Sequence, residues 1–183
     1  LDHTGMANDD LSGVVVGLEV MEKLKKINNR KFSYKLLLVQ EMLGSAAYLS
    51  REYNEDSNFK YGIFLEMLGN SNRIALQKSF EKETRIDKIA EYVLKENKEK
   101  YEIGDFRENI KNDEIIFESP GYEIPTISVN RYPYREYHSH LDNPDIIGEE
   151  VLNESVDYIM KMINILENDF IPKRKFKGLP SLA

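Results

Sequence analysis

Short apolar runs alternate with amphipathic stretches along this chain, and the alternation restricts the architectures open to it. Tyr34-Lys35-Leu36-Leu37-Leu38-Val39 and Tyr61-Gly62-Ile63-Phe64-Leu65-Glu66-Met67-Leu68 read as buried strands. Arg73 to Phe80 and Pro125 to Val129 read as two more. Around them, apolar residues recur at helical spacing. Leu11, Val14, Val15, Leu18, Met21 and Leu24 predict a helix over roughly 10–28, followed by another over 42–52. Ile86, Ile89, Ala90, Val93 and Leu94 mark one at about 84–97, and Leu152, Val156, Ile159, Ile163 and Leu166 one at about 148–168. The polar stretch from Glu96 to Asp113 reads as a long surface connection. Strands alternating with helices specify an α/β domain with a mainly parallel sheet.

The 183 residues suit one domain with a sizeable core. A net charge of -7 argues against a general nucleic-acid binder, because such a protein usually carries a basic face. The basic cluster Lys173-Arg174-Lys175 with Lys177 reads as a solvated tail. No apolar run is long enough to span a bilayer, and Leu1-Asp2-His3-Thr4 lacks the basic start and apolar stretch of a signal peptide. The expectation is a cytoplasmic protein without membrane or nucleic-acid partners, read as cropped at both ends. The chain has no cysteine, which fits a reducing compartment. It also confines any zinc site to His, Asp and Glu, the ligands of hydrolytic rather than thiolate structural zinc.

In α/β sheets, ligands collect outside the carboxyl ends of the strands. Asp9 precedes the first helix, Glu41 follows the strand ending Val39-Gln40, Glu66 lies near the end of the second, and His138 follows the segment Pro125 to Tyr132. Each has a plain structural alternative. Asp9 equally serves as a helix cap, and Glu41 as the acid that favours a helix N-terminus. His138 and His140 read as surface histidines when taken singly. Glu66 is harder to place without a role, since a carboxylate between Leu65 and Met67 is costly to bury unless paired or metal-bound; the alternative is an edge strand that turns it to solvent. Together, three carboxylates and a histidine make a hard-ligand set.

Met6-Ala7-Asn8-Asp9-Asp10-Leu11-Ser12-Gly13 and His138-Ser139-His140-Leu141-Asp142 resemble motifs of the co-catalytic di-zinc exopeptidases. That superfamily includes bacterial leucyl aminopeptidases and glutamate carboxypeptidase. The pattern is most similar to a bacterial aminopeptidase-like branch, some of it linked to polysaccharide biosynthesis, and covers nearly the whole chain. The resemblance implies a three-layer sandwich with helices on both faces of a mostly parallel sheet. It implies two zinc ions, with Asp9 bridging them and Glu66 and His138 each binding one. Leu1-Asp2 is similar to the end of a His-x-Asp element, which puts a further histidine ahead of Leu1 and gives Asp2 the task of orienting it. Asp113 and Asp142 take the same supporting role for other ligands. Glu41-Met42-Leu43-Gly44-Ser45 resembles the element bearing the catalytic carboxylate. There the family usually has two adjacent acids, one base and one ligand, where this chain has Gln40-Glu41. Glutamine cannot take a proton as a base, so Glu41 is left as base or ligand.

The implied chemistry is zinc-assisted hydrolysis of an amide or peptide bond in a peptide or aminoacyl substrate, with Glu41 moving the proton. Tyr134 and Tyr137, just before His138, are candidate pocket walls, as is Tyr132; aromatic packing is the alternative for each. Three other functions stay open: a catalytically degenerate homologue that binds a peptide or sugar-linked ligand, a deacylase or carboxypeptidase using the same metals, and a purely structural domain. Homo-oligomerisation is open as well.

Overall fold

The computed structural model describes residues 5–54, 57–96 and 101–178. Asp2 lies outside the described residues. Four strands form one sheet: β1 (Gly62–Leu65), β2 (Arg73–Gln77), β3 (Glu102–Gly104) and β4 (Thr126–Tyr132), in the order β1-β4-β2-β3. β1 pairs with β4 and β2 with β3 in parallel, while β2 and β4 run antiparallel, so the sheet is mostly parallel.

β4 shows how one short sequence sorts the two faces. Ile127 and Val129 are fully buried in the main apolar cluster, together with Ile74 and Leu76 of β2. The helices α1 (Gly13–Lys25), α3 (Arg85–Glu96) and α5 (Glu149–Asn168) close over that face. They contribute Val16, Val20 and Leu24, then Ile86, Ile89 and Val93, then Val156, Ile159 and Ile163. Alternation turns Thr126, Ser128 and Asn130 to the opposite face. There α4 (Glu114–Phe117) packs on β1 and β4, with α2 (Leu43–Glu52) against α4. The result is a sheet between two helical layers, as expected. Among the described residues, no helix is long and apolar enough to cross a membrane.

Several local expectations change. The run Tyr34 to Val39 is not a strand. Its side chains attach to helices instead: Leu36 lies over Gly17 of α1, and the Tyr34 hydroxyl donates to Glu167 of α5 at 2.6 Å. Leu38 and Val39 are left 54% and 43% exposed. The first helix is shorter than 10–28, because Asp9 and Asp10 have non-helical backbones in an irregular turn over Ala7–Ser12. Its buried stripe is Gly13, Val16, Gly17, Val20 and Leu24, whereas Leu11, Val15 and Leu18 are about half exposed, at 47%, 49% and 49%. The polar stretch after α3 contains β3, too short at three residues to show a period.

Gly13 fixes how closely the Asp9–Asp10 turn approaches the sheet. A Cβ there would overlap the Leu65 carbonyl oxygen and the Asp10 carboxylate. Gly13→Ala is expected to destabilise the protein by about 1–3 kcal/mol, read from denaturant unfolding, because backbone on one side cannot yield.

Glu118 ties the segment after β2 to the start of β4, accepting from Phe80 N at 2.9 Å and Thr126 N at 3.1 Å. Burial pushes its carboxyl up from 4.5 to about 7. The folded protein therefore favours the neutral acid. That contribution is fully present below 4.5 and is lost as pH rises through about 7. Denaturation midpoints measured across this window should show Glu118→Gln losing less stability with rising pH than the parent; an equal or steeper loss contradicts the assignment.

Candidate functional site

The site begins with Asn8, which is fully buried and joins three segments. Its Oδ1 accepts from Gly69 N at 2.8 Å and its Nδ2 donates to Glu136 at 3.0 Å. Asn70 donates to the same Glu136 oxygen at 2.8 Å. Asp142, also fully buried, accepts from the backbone N–H of Asn8 at 2.6 Å and of Asp9 at 2.9 Å. The turn bearing Asp9 is thus held by the loop that carries His138, through these two backbone hydrogen bonds to Asp142. Asp9 Oδ2 lies 3.5 Å from His138 Nε2.

Glu66 continues β1 toward Asn130 of β4, on the face opposite the apolar core, and its N–H donates to the Val129 carbonyl at 3.2 Å. It is 2% exposed, which removes the solvent-facing alternative. Oε1 accepts from Asn112 Nδ2 at 3.0 Å, while Oε2 is buried without a hydrogen-bond partner. Burial pushes the Glu66 carboxyl well above its ordinary range, and the Asp10 and Asp9 charges push it further. Asp10 is raised as well, by burial and then by Asp9 and Asp142, although it accepts from Met67 N at 3.1 Å and Gly13 N at 3.2 Å.

Glu41 is exposed at the turn before α2. Asp113 pins that turn, accepting from Met42 N at 2.6 Å and from the Ser45 hydroxyl. Adjacent residues therefore hold two candidates, Asn112 holding Glu66 and Asp113 the turn of Glu41. Tyr134 is half-buried and donates its hydroxyl to the Asn109 carbonyl at 2.6 Å. Burial raises its pKa first, followed by the charge of Glu66 and, more weakly, that of Asp9. Tyr137 stacks on the His138 ring at 3.8 Å.

Sequence reasoning missed Asn8, Asp10, Asn112 and Glu136. Asn8 and Asp10 stand in a motif that singled out Asp9 alone; the contacts of Asn8, Asn112 and Glu136 span 46 to 134 positions, beyond any local pattern. Four left-handed residues also border the candidates: Met6 (φ 59°), Met42 (φ 58°), Met67 (φ 48°) and His138 itself (φ 53°). Non-glycine residues in this region are uncommon, and their clustering accompanies functional sites.

The donors suit a hard divalent cation in kind: crowded carboxylates, one buried oxygen unpartnered, and an imidazole beside Asp9. Among the described residues, however, no three His, Asp or Glu side chains form a group that could hold a metal ion. Glu66→Gln keeps the Asn112 contact and removes a disfavoured charge. Without added metal, the variant should be about 1–3 kcal/mol more stable at neutral pH, with the gap closing in acid as Glu66 protonates. A loss of stability at neutral pH would show that the charge is compensated.

A protein of Clostridium acetobutylicum, named for polysaccharide biosynthesis and an aminopeptidase-like domain, is 31% identical over 169 residues, covering 91% of this chain and 38% of that protein. The chain thus spans little more than a third of this relative's length. A solved structure from Clostridium acetobutylicum, described as a candidate peptidase, superposes with a TM-score of 0.83 at 31% identity, over 88% of this chain and 38% of that one. The zinc aminopeptidase of Bacillus subtilis has a TM-score of 0.70 at 16% identity, over 94% and 44%. A Porphyromonas gingivalis glutaminyl cyclase gives 0.67 at 18%, over 90% and 64%. The fold is that of zinc aminopeptidases and glutaminyl cyclases. The family described as a domain of unknown function, DUF4910, matches residues 1–169, and the chain belongs to it.

Proposed function

We propose that this chain forms the metal-binding core of a zinc-dependent, aminopeptidase-like hydrolase that cleaves an amide or peptide bond. The observation that carries the reading is the buried Glu66 carboxylate, one oxygen unpartnered, held in the electrostatic field of Asp9 and Asp10 while Asp9 meets His138. A buried like-charge cluster without a cation is costly, and a divalent ion offsets that cost. Asp9, Glu66 and His138 would hold the metal, with the further histidine that the resemblance expects. In this reading the complete site would take two ions, with Asp9 as a ligand shared by both. Bound zinc supplies a water of lowered pKa and an electrophile for the scissile carbonyl.

The chain's own residues do the rest. Asp142 fixes the Asp9 backbone, and Asn112 fixes one oxygen of Glu66. Glu41 takes the proton at its carboxylate and returns it to the leaving amine. Its exposed turn, pinned by Asp113, lets it face substrate. Tyr134 and Tyr137 would line the approach of a peptide or aminoacyl substrate in this reading.

A second reading is a degenerate homologue that binds metal and a peptide or sugar-linked ligand without turnover. Gln40 beside Glu41, where the resemblance expects two acids, favours it. Zinc content and turnover of aminoacyl anilides by the full-length protein distinguish the two. The hydrolase reading expects Asp9→Ala and His138→Ala to lose zinc. It expects Glu41→Gln to keep zinc while turnover falls about 100-fold or more. Zinc without turnover supports the second reading, and no zinc at all sinks both.

A further inference from the structure

His138 occupies an awkward place for a metal ligand. Its backbone is left-handed at φ 53°, and its side chain is 47% exposed on a loop. An exposed side chain loses rotamer freedom when it is fixed, so the loop needs something to hold the ring. The Tyr137 ring lies nearly parallel to the imidazole, 3.8 Å away between centroids and 20° between planes. Tyr137 in turn packs on Tyr134 at 5.5 Å, and Tyr134 packs edge-on against Tyr132, also at 5.5 Å. Tyr134 is anchored through its hydroxyl to the Asn109 carbonyl at 2.6 Å. A continuous set of contacts therefore runs from the loop after β3 through Tyr134 and Tyr137 to His138, and from His138 Nε2 to Asp9.

We infer that Tyr137 is a positioning residue: its ring fixes the plane of the His138 imidazole so that Nε2 stays aimed at Asp9 and at the metal shared with it. The inference rests on the zinc-binding reading above. One face of Tyr137 is committed to His138, and the residue as a whole is 46% exposed. The aromatic surface, rather than the hydroxyl, does the positioning. Tyr134 acts one step back, and its hydroxyl matters because it anchors the stack.

The test uses the full-length protein and three variants. Tyr137→Leu removes the ring, Tyr137→Phe keeps it, and Tyr134→Phe releases the anchor. The probe is zinc alone, titrated in competition with a chromophoric chelator, because supporting contacts to ligand histidines are worth about 10- to 100-fold in metal affinity. Tyr137→Leu should weaken zinc by about that factor, Tyr137→Phe by no more than about twofold, and Tyr134→Phe by an intermediate amount. Without metal, the ring protons of His138 should lose their upfield ring-current shift in Tyr137→Leu and keep it in Tyr137→Phe. Where turnover is measurable, Tyr137→Leu should lower kcat by more than Tyr137→Phe does. Unchanged zinc affinity in Tyr137→Leu overturns the inference, as does an equal loss in Tyr137→Phe. If the parent binds zinc and His138→Ala binds it equally well, the ligand assignment fails. If the parent binds none, the zinc reading fails and the inference with it.

Discussion

The constraint on which the rest of the structure depends is the burial of Asn8 and Asp142 against each other. Asp142 accepts two successive backbone N–H groups, those of Asn8 and Asp9, from 134 and 133 positions away. Asn8 then reaches outward, to Gly69 after β1 and to Glu136 before His138. Buried polar atoms must find partners or cost several kcal/mol, so these groups specify one arrangement of three loops that the apolar core alone leaves undetermined. The core, with α1, α3 and α5 on one face of the sheet, sets where the strands end. The polar network sets what happens just past those ends.

The two faces of the sheet divide the labour. Ile63, Leu65, Ile127 and Val129 face or pack against the apolar cluster. The alternate positions carry Ser128, Asn130, Gln77 and, one residue past β1, Glu66. Gln77 is fully buried there, and its side-chain oxygen accepts from Asn109 N at 3.0 Å and Ile110 N at 2.9 Å. These bonds hold the loop whose Asn109 carbonyl anchors Tyr134 and whose next turn carries Asn112 and Asp113. A polar face is poor at driving collapse but suited to placing side chains, which is where the candidate site uses it.

Legibility followed the range of the signal. α5 and α3 were readable because one apolar stripe per helix carries the burial. α1 was misread in detail, since Val14, Val15 and Val16 offer three faces and the two glycines on the buried side have no side chain to show in a pattern. The apolar run at Tyr34 to Val39 had strand-like composition, but strand identity requires a neighbour, and its contacts are to helices. The meeting of Asp9 with His138 was legible through motif resemblance. Asn8, Asn112 and Glu136 were not, because a hydrogen bond across the chain leaves no trace in residue spacing.

The left-handed residues join these threads. Met67 follows Glu66, and its N–H is taken by Asp10. Met42 follows Glu41, and its N–H is taken by Asp113. Met6 precedes the Asp9 turn; its carbonyl accepts from Leu11 N, while Asp142 takes the N–H groups of Asn8 and Asp9. A left-handed non-glycine backbone costs of order 1 kcal/mol or more and persists only where neighbours over-determine it. Near Glu66, Glu41 and Asp9 the determining neighbour is a carboxylate on backbone N–H. Glycine would adopt these angles more cheaply, but it would loosen the backbone beside each candidate side chain. The chain keeps a methionine at all three positions and spends an acid to hold the local shape. Asp10, Asp113 and Asp142 therefore shape the backbone beside Glu66, Glu41 and Asp9.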